Sequence, residues 1–196
     1  MQSPSTGASA APARSRRTLW LILAVCAAPM LASYAAFLFW RPTAHVNYGE
    51  LLEPRVLPDV ELALLDARAF RMSALKGEWV LLASGPGSCD AQCGRNLVYM
   101  RQVRLAQGRE SGRIERVWLL TDGAAPDAAL VAEHPGLIIV RSGDKLAAAL
   151  PAPRNAADHV YVVDPMGNLM MRFPADPDPQ RMLKDLSRLL RHSKWK

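Results

Sequence analysis

Trp79-Val80-Leu81-Leu82-Ala83-Ser84, then Gly85-Pro86-Gly87-Ser88, then Cys89-Asp90-Ala91-Gln92-Cys93 is the stretch on which the fold turns. The first six residues have the length and nearly unbroken apolar character of a strand buried on both faces. The Gly-Pro-Gly-Ser run breaks that strand. From Asp90 to Gln107 the chain reads as a helix with Leu97, Met100, Val103 and Leu105 roughly on one side, and Gly108 suits its C-terminal stop.

Downstream the same alternation repeats. Val117-Trp118-Leu119-Leu120, within Arg116 to Thr121, is a second buried strand, and Ala128 to Glu133 is a helical turn or two. Leu137-Ile138-Ile139-Val140 is another strand, and Asp144 to Leu150 is a short helix that Pro151 and Pro153 terminate. Val160-Tyr161-Val162-Val163 and Leu169 to Phe173 flank the turn Asp164-Pro165-Met166-Gly167-Asn168, which predicts a hairpin. Asp178 as N-cap and Pro179 at the first helical position open a last helix. Its Met182, Leu183, Leu186, Leu189 and Leu190 recur at helical spacing. Upstream, Val60 to Leu65 reads as a short edge strand and Ser73 to Gly77 as a turn or short helix. The order strand, helix, strand, helix, strand, hairpin, helix is that of a thioredoxin-like α/β domain.

The N-terminal part differs in kind. From Thr18 to Trp40 there are 23 residues without a charge, about 34 Å of helix against a hydrocarbon core of roughly 30 Å. Trp20 lies near one end and Phe37, Phe39 and Trp40 near the other, where aromatic rings favour a membrane interface. The run exceeds the 7–15 residues of a signal-peptide core, so it reads as an uncleaved anchor, with Cys26 a cysteine buried in the membrane. Arg14, Arg16 and Arg17 precede the span and Arg41 follows it, which orients the N-terminus to the cytoplasm. The organisation expected is a basic tail over 1–17, an anchor over 18–40, a linker over 41–56 and an exported domain over 57–196. The site expected is a bacterial inner membrane with the C-terminal domain in the periplasm.

The 196 residues include 24 Lys or Arg and 18 Asp or Glu, a net charge of +6; half the residues are apolar and 21% are charged. That balance excludes a disordered chain, and mean hydropathy near zero excludes a multi-span protein. The basic excess needs no nucleic-acid partner: three N-terminal arginines account for half of it, and the other basic residues are interspersed with acids along the chain.

Cys89 and Cys93 carry the strongest chemical signal. Residues four apart stack on one helix face, so both sulfurs can point to one place. A helix N-terminus favours thiolate over thiol, which suits a nucleophile or a metal ligand. The spacing also fits a plain structural disulfide. Of the four histidines, His45, His134 and His192 read as solvated residues. His159 stands at the mouth of the strand Val160 to Val163, which in a thioredoxin-like domain lies close to the start of the cysteine-bearing helix. Two thiolates and an imidazole make a soft three-coordinate site suited to copper(I); a histidine that merely ends a strand fits the same position. Met166, Met170 and Met171 read as core filling.

Strand, Cys-x-x-x-Cys, helix, and then Asp158-His159 opening Val160-Tyr161-Val162-Val163-Asp164-Pro165-Met166-Gly167 resembles the Sco/SenC copper chaperones of cytochrome c oxidase assembly. Leu119-Leu120-Thr121-Asp122 with Pro126-Asp127 is similar to that family's second strand and acidic loop, and the resemblance spans roughly Leu57 to Leu190. It implies a single anchor, an exported thioredoxin-like domain, and copper held by Cys89, Cys93 and His159, with Asp158 placed to orient the histidine. It implies, as partner, the copper-site subunit of cytochrome c oxidase, with periplasmic thiol redox proteins also possible. The alternative is a thiol–disulfide oxidoreductase that uses Cys89 and Cys93 to reduce the oxidase's copper-site cysteines; a third reading is a scaffold whose cysteines are a staple. Gly94 follows Cys93 where the family has proline, no aromatic residue precedes Cys89 in Ser84 to Ser88, and the segment between the cysteines and His159 is short, which marks a divergent branch.

Overall fold

The computed structural model describes residues 14–39, 47–141 and 144–193. The chain divides into two compact units, 1–45 and 46–196. In the first, helix α1 (Arg14–Phe39) contains Arg16–Leu38, a stretch long and apolar enough to cross a membrane. Trp20, Ile22, Val25, Met30, Leu31 and Phe37 are exposed around it. A helix apolar on all sides is one that a protein core or a membrane covers.

The second unit is built on one eight-stranded mixed sheet. Its strands are β1 (Glu50–Val56), β2 (Leu62–Leu64), β3 (Ala69–Phe70), β4 (Trp79–Gly85), β5 (Ile114–Leu120), β6 (Leu137–Arg141), β7 (Tyr161–Val163) and β8 (Asn168–Arg172). The spatial order is β1-β8-β7-β4-β5-β6-β2-β3; β4, β5 and β6 run parallel, and every other pairing is antiparallel. Every residue of β4 is buried, as its unbroken apolar run requires. Its side chains alternate between two cores. Trp79, Leu81 and Ala83 join Ile114, Trp118 and Leu120 under helices α2 (Ala91–Ala106) and α5 (Pro179–His192). Val80 and Leu82 join Val117, Leu119 and Val140 with Leu146 of the short helix α4 (Asp144–Ala148). Helix α3 (Ala128–Glu133) lies between β5 and β6 in the chain. Met182, Leu186 and Leu190 are the buried apolar stripe of α5, each contributing about 1.5–3 kcal/mol by leaving water.

Three expectations are corrected. The stretch read as a linker over 41–56 contains β1, which pairs with β8 (Glu50↔Arg172, Leu51↔Met171, Arg55↔Leu169), so the domain begins before residue 57. Six of the seven β1 residues are exposed, which removes the alternating pattern that marks a half-buried strand. Pro54, read as a breaker, sits where the register shifts between Leu51 and Arg55, a position an edge strand tolerates. Next, β2 is not an edge: it lies between β6 and β3. Finally, His134 is 2% exposed rather than solvated, and its carbonyl accepts the Leu137 amide in the turn that leads into β6. His45 lies outside the described residues.

Candidate metal and redox site

The site forms where β4 hands over to α2. After Gly85 the loop passes so close to residue 124 that a Cβ on Gly87 would lie 2.2 Å from the Ala124 carbonyl oxygen; only glycine fits there. Asp122 accepts the Gly87 amide at 2.8 Å and the Ala124 amide at 3.3 Å, joining the two loops. The Cys89 amide donates to the Pro86 carbonyl at 3.1 Å. Cys89 has φ of 41°, in the left-handed region, and Asp90 is the N-cap of α2, its Oδ1 accepting the Cys93 amide at 2.9 Å.

Cys89 and Cys93 form a disulfide, with Cα atoms 5.2 Å apart. The route to it differs from the one expected. Cys89 precedes the helix, so the pair does not stack on two helical turns; the left-handed backbone at Cys89 turns its side chain back over the first turn, where Cys93 waits. Cys93 is buried and Cys89 half-buried, so Cys89 is the more approachable member.

His159 follows the single 3-10 turn Ala156–Asp158, which Asn155 caps by accepting the Ala157 amide at 3.1 Å. His159 is 8% exposed, and its Nδ1 lies 2.8 Å from the Phe173 carbonyl oxygen. A carbonyl only accepts, so Nδ1 carries the proton, and in the neutral ring Nε2 is left with its lone pair. That tautomer is the one a metal-ligating imidazole uses. Tyr161 packs edge-on against His159 with centroids 6.2 Å apart. Burial pushes the Tyr161 phenol up to about 12, and its hydroxyl donates to the Pro151 carbonyl at 2.9 Å.

A buried amide ties the two halves together. Asn96, one turn beyond Cys93 and 1% exposed, donates Nδ2 to the Ala157 carbonyl at 3.2 Å, two residues before His159. Gln92 orients it, donating to Asn96 Oδ1 at 3.2 Å. Cys89, Cys93 and Val160 belong to one packed cluster. Among the described residues no group of three or more His, Cys, Asp or Glu side chains lies together so as to hold a metal ion.

Asp158, expected to orient the histidine, stands next to it in the chain. The contact that orients His159 is the Phe173 carbonyl, and the Asp158 carboxylate makes no hydrogen bond to the ring among the described residues. A backbone carbonyl has no signature in sequence. Asn96 had one: a polar residue in line with Leu97, Met100 and Cys93 on the packed side of a helix.

A parallel β4–β5–β6 core, an antiparallel β7–β8 hairpin and a cysteine pair at the β4–α2 junction define a thioredoxin-like domain. Residues 79–193 match the family described as transmembrane-like, thioredoxin-like, C-terminal domain, and the chain belongs to it. No curated protein matches the sequence significantly. Among solved structures, the fold is similar to copper-bound yeast Sco1 (TM-score 0.59, 16% identity, 72% of this chain and 96% of that one). It is likewise similar to apo Sco1 from Thermus thermophilus (0.59, 20%, 75% and 99%) and copper-bound ScoI from Bradyrhizobium japonicum (0.54, 18%, 68% and 99%). The fold expected from the Sco/SenC resemblance is therefore present.

Proposed function

We propose that this protein is a membrane-tethered copper-binding protein that assists assembly of the copper centre of a respiratory cytochrome c oxidase. The observation that carries the reading is the contact between His159 Nδ1 and the Phe173 carbonyl, which takes Nδ1–H and leaves Nε2 with a lone pair two residues beyond the Ala157 carbonyl that Asn96 of the cysteine-bearing helix holds. A periplasmic dithiol protein supplies two electrons and two protons, opening the Cys89–Cys93 disulfide to two thiols and becoming a disulfide itself. Copper(I) then displaces the thiol protons, and two thiolates with His159 Nε2 form a soft donor set matched to that ion. Transfer proceeds by exchange of these ligands for the cysteines of the oxidase's copper-site subunit. Helix α1 anchors the chain in the bacterial inner membrane with its N-terminus cytoplasmic and the thioredoxin-like domain in the periplasm, as the preceding Arg14, Arg16 and Arg17 favour.

The disulfide itself supports a second reading, reduction of the oxidase's copper-site cysteines by Cys89 and Cys93, with periplasmic thiol redox proteins restoring the dithiol. Anaerobic titration of the reduced chain with copper(I) against a competing chelator separates the two. One copper per chain, lost in Cys89→Ser and weakened in His159→Ala, supports the chaperone. Disulfide turnover with no copper retained against the chelator supports the oxidoreductase and rejects the chaperone.

A further inference from the structure

We propose that the outer face of α2 and α5 is a docking surface for anionic phospholipid headgroups; this rests on reading α1 as a bilayer anchor. Residues 47–193 carry eighteen Arg or Lys and eighteen Asp or Glu, a net charge of zero. The distribution is lopsided. Helix α2, the 3-10 turn Gly108–Arg113 and α5 together hold nine basic residues and two acids. In sequence these segments are far apart. In the fold α2 packs against α5 on one face of the sheet; Arg95, Arg113 and Arg188 pair with Asp176, Glu110 and Asp185, and the excess positive charge on the α5 side lies with Arg181, Lys184 and Arg191. The rest of the domain carries the compensating negative charge.

The surface has relief as well as charge. Between the Gly108–Arg113 turn and α5 runs an open groove of about 1040 Å³, with Leu183 and Leu190 in its lining and Arg113, Lys184 and Arg191 among its charged groups; Glu110 is the single acid. Glu110 pairs with Arg113. Lys184 and Arg191 are exposed and make no ion pair among the described residues.

The path of the chain selects the occupant. The domain is entered at α5: Arg188 donates to Asn47 Oδ1 at 3.0 Å, and Asp185 accepts the amides of Tyr48 and Gly49. Seven residues, 40–46, separate Asn47 from α1, a reach of at most about 28 Å. The first described residues of the domain, Asn47 to Gly49, lie against α5, beside this basic face. Positive side chains are attracted to anionic lipid once they come within a Debye length, about 8 Å in physiological salt.

The test uses the full chain in nanodiscs of phosphatidylcholine alone or mixed with phosphatidylglycerol, read by amide hydrogen exchange. The Lys184→Glu/Arg191→Glu variant is run alongside. Peptides from 107–113 and 179–192 are expected to exchange about tenfold more slowly in the phosphatidylglycerol discs, with the difference abolished in the variant and by high salt. Equal exchange in both discs, or a difference that persists in the variant, overturns the surface and leaves the anchor standing. Protection produced by added poly-glutamate but not by phosphatidylglycerol overturns it in favour of an acidic protein segment. A chain absent from phosphatidylcholine discs overturns the anchor. If phosphatidylglycerol discs then retain wild type but not the variant, the surface stands alone; if they retain neither, it falls too.

Discussion

Asp185 of α5 accepts the backbone amide of Gly49 at 2.8 Å across 136 residues of sequence, and its Oδ2 also takes the amide of Tyr48 at 2.7 Å. The carboxylate is 3% exposed, and of these charge-assisted bonds the one to Gly49 is buried and the one to Tyr48 partly so. They fix the entry to β1, whose Glu50 then pairs with Arg172 of β8. They also place the Tyr48 ring 6.3 Å from Phe173, centroid to centroid, and it is the Phe173 carbonyl that holds His159. The first residues of the domain therefore buttress its candidate site.

Asp185→Ala removes the one oxygen, Oδ2, that accepts both amides and leaves two amides without that partner, one of them buried. A loss of about 3 kcal/mol is expected, read as a lower denaturant midpoint. β1, the strand most dependent on the bond, should show the largest gain in hydrogen exchange.

His159→Ala should weaken copper(I) binding by the reduced chain by about tenfold or more, because a ligand is removed. Asp158→Asn should leave affinity within about twofold, since the carboxylate makes no bond to the ring. Competition against a chelator measures both. Equal losses would return Asp158 to the role first expected of it.

At Asp90 the cap can be separated from the charge. Asparagine caps as well as aspartate, whereas alanine costs about 1 kcal/mol. Asp90→Asn should therefore keep the melting temperature while removing a carboxylate that accepts the Cys93 amide at 2.9 Å. Loss of that negative charge favours thiolate, so the pH midpoint for alkylation of the reduced cysteines should fall. Asp90→Ala should lower both the midpoint and the stability.

His134 should make the domain acid-sensitive. Burial, then the charges of Arg101 and Arg116, hold its imidazole below the ordinary value of 6.5, with Glu133 acting the other way. The unfolded chain therefore takes up the proton at higher pH than the folded one. Stability from this group is complete above about pH 6.5 and declines as pH falls through it, by at most about 1.4 kcal/mol per pH unit. Denaturant midpoints on either side of that pH should differ less in His134→Gln than in the wild type.

What the sequence by itself determined is whatever depends on neighbours in the chain. The apolar run Trp79 to Ser84, the Gly-Pro-Gly break, the Asp178–Pro179 helix start and the Asp164-to-Asn168 turn are local preferences of backbone and side chain, and their order sufficed for the thioredoxin-like topology. The cysteine pair and the strand-entry histidine were legible for the same reason. Tertiary structure decided what depends on residues remote in sequence. β1 exists because β8 and Asp185 hold a segment that has little apolar pattern of its own. Cys89 reaches Cys93 from outside the helix because Gly87 and Asp122 lock the preceding loop. The His159 tautomer comes from a backbone carbonyl fourteen residues away, and every residue has a carbonyl. His134 is buried by packing that its polar neighbours do not announce. The basic residues of α2 and α5 come to share one face only when the sheet brings the two helices side by side, because electrostatic energy depends on distance in space and not along the chain.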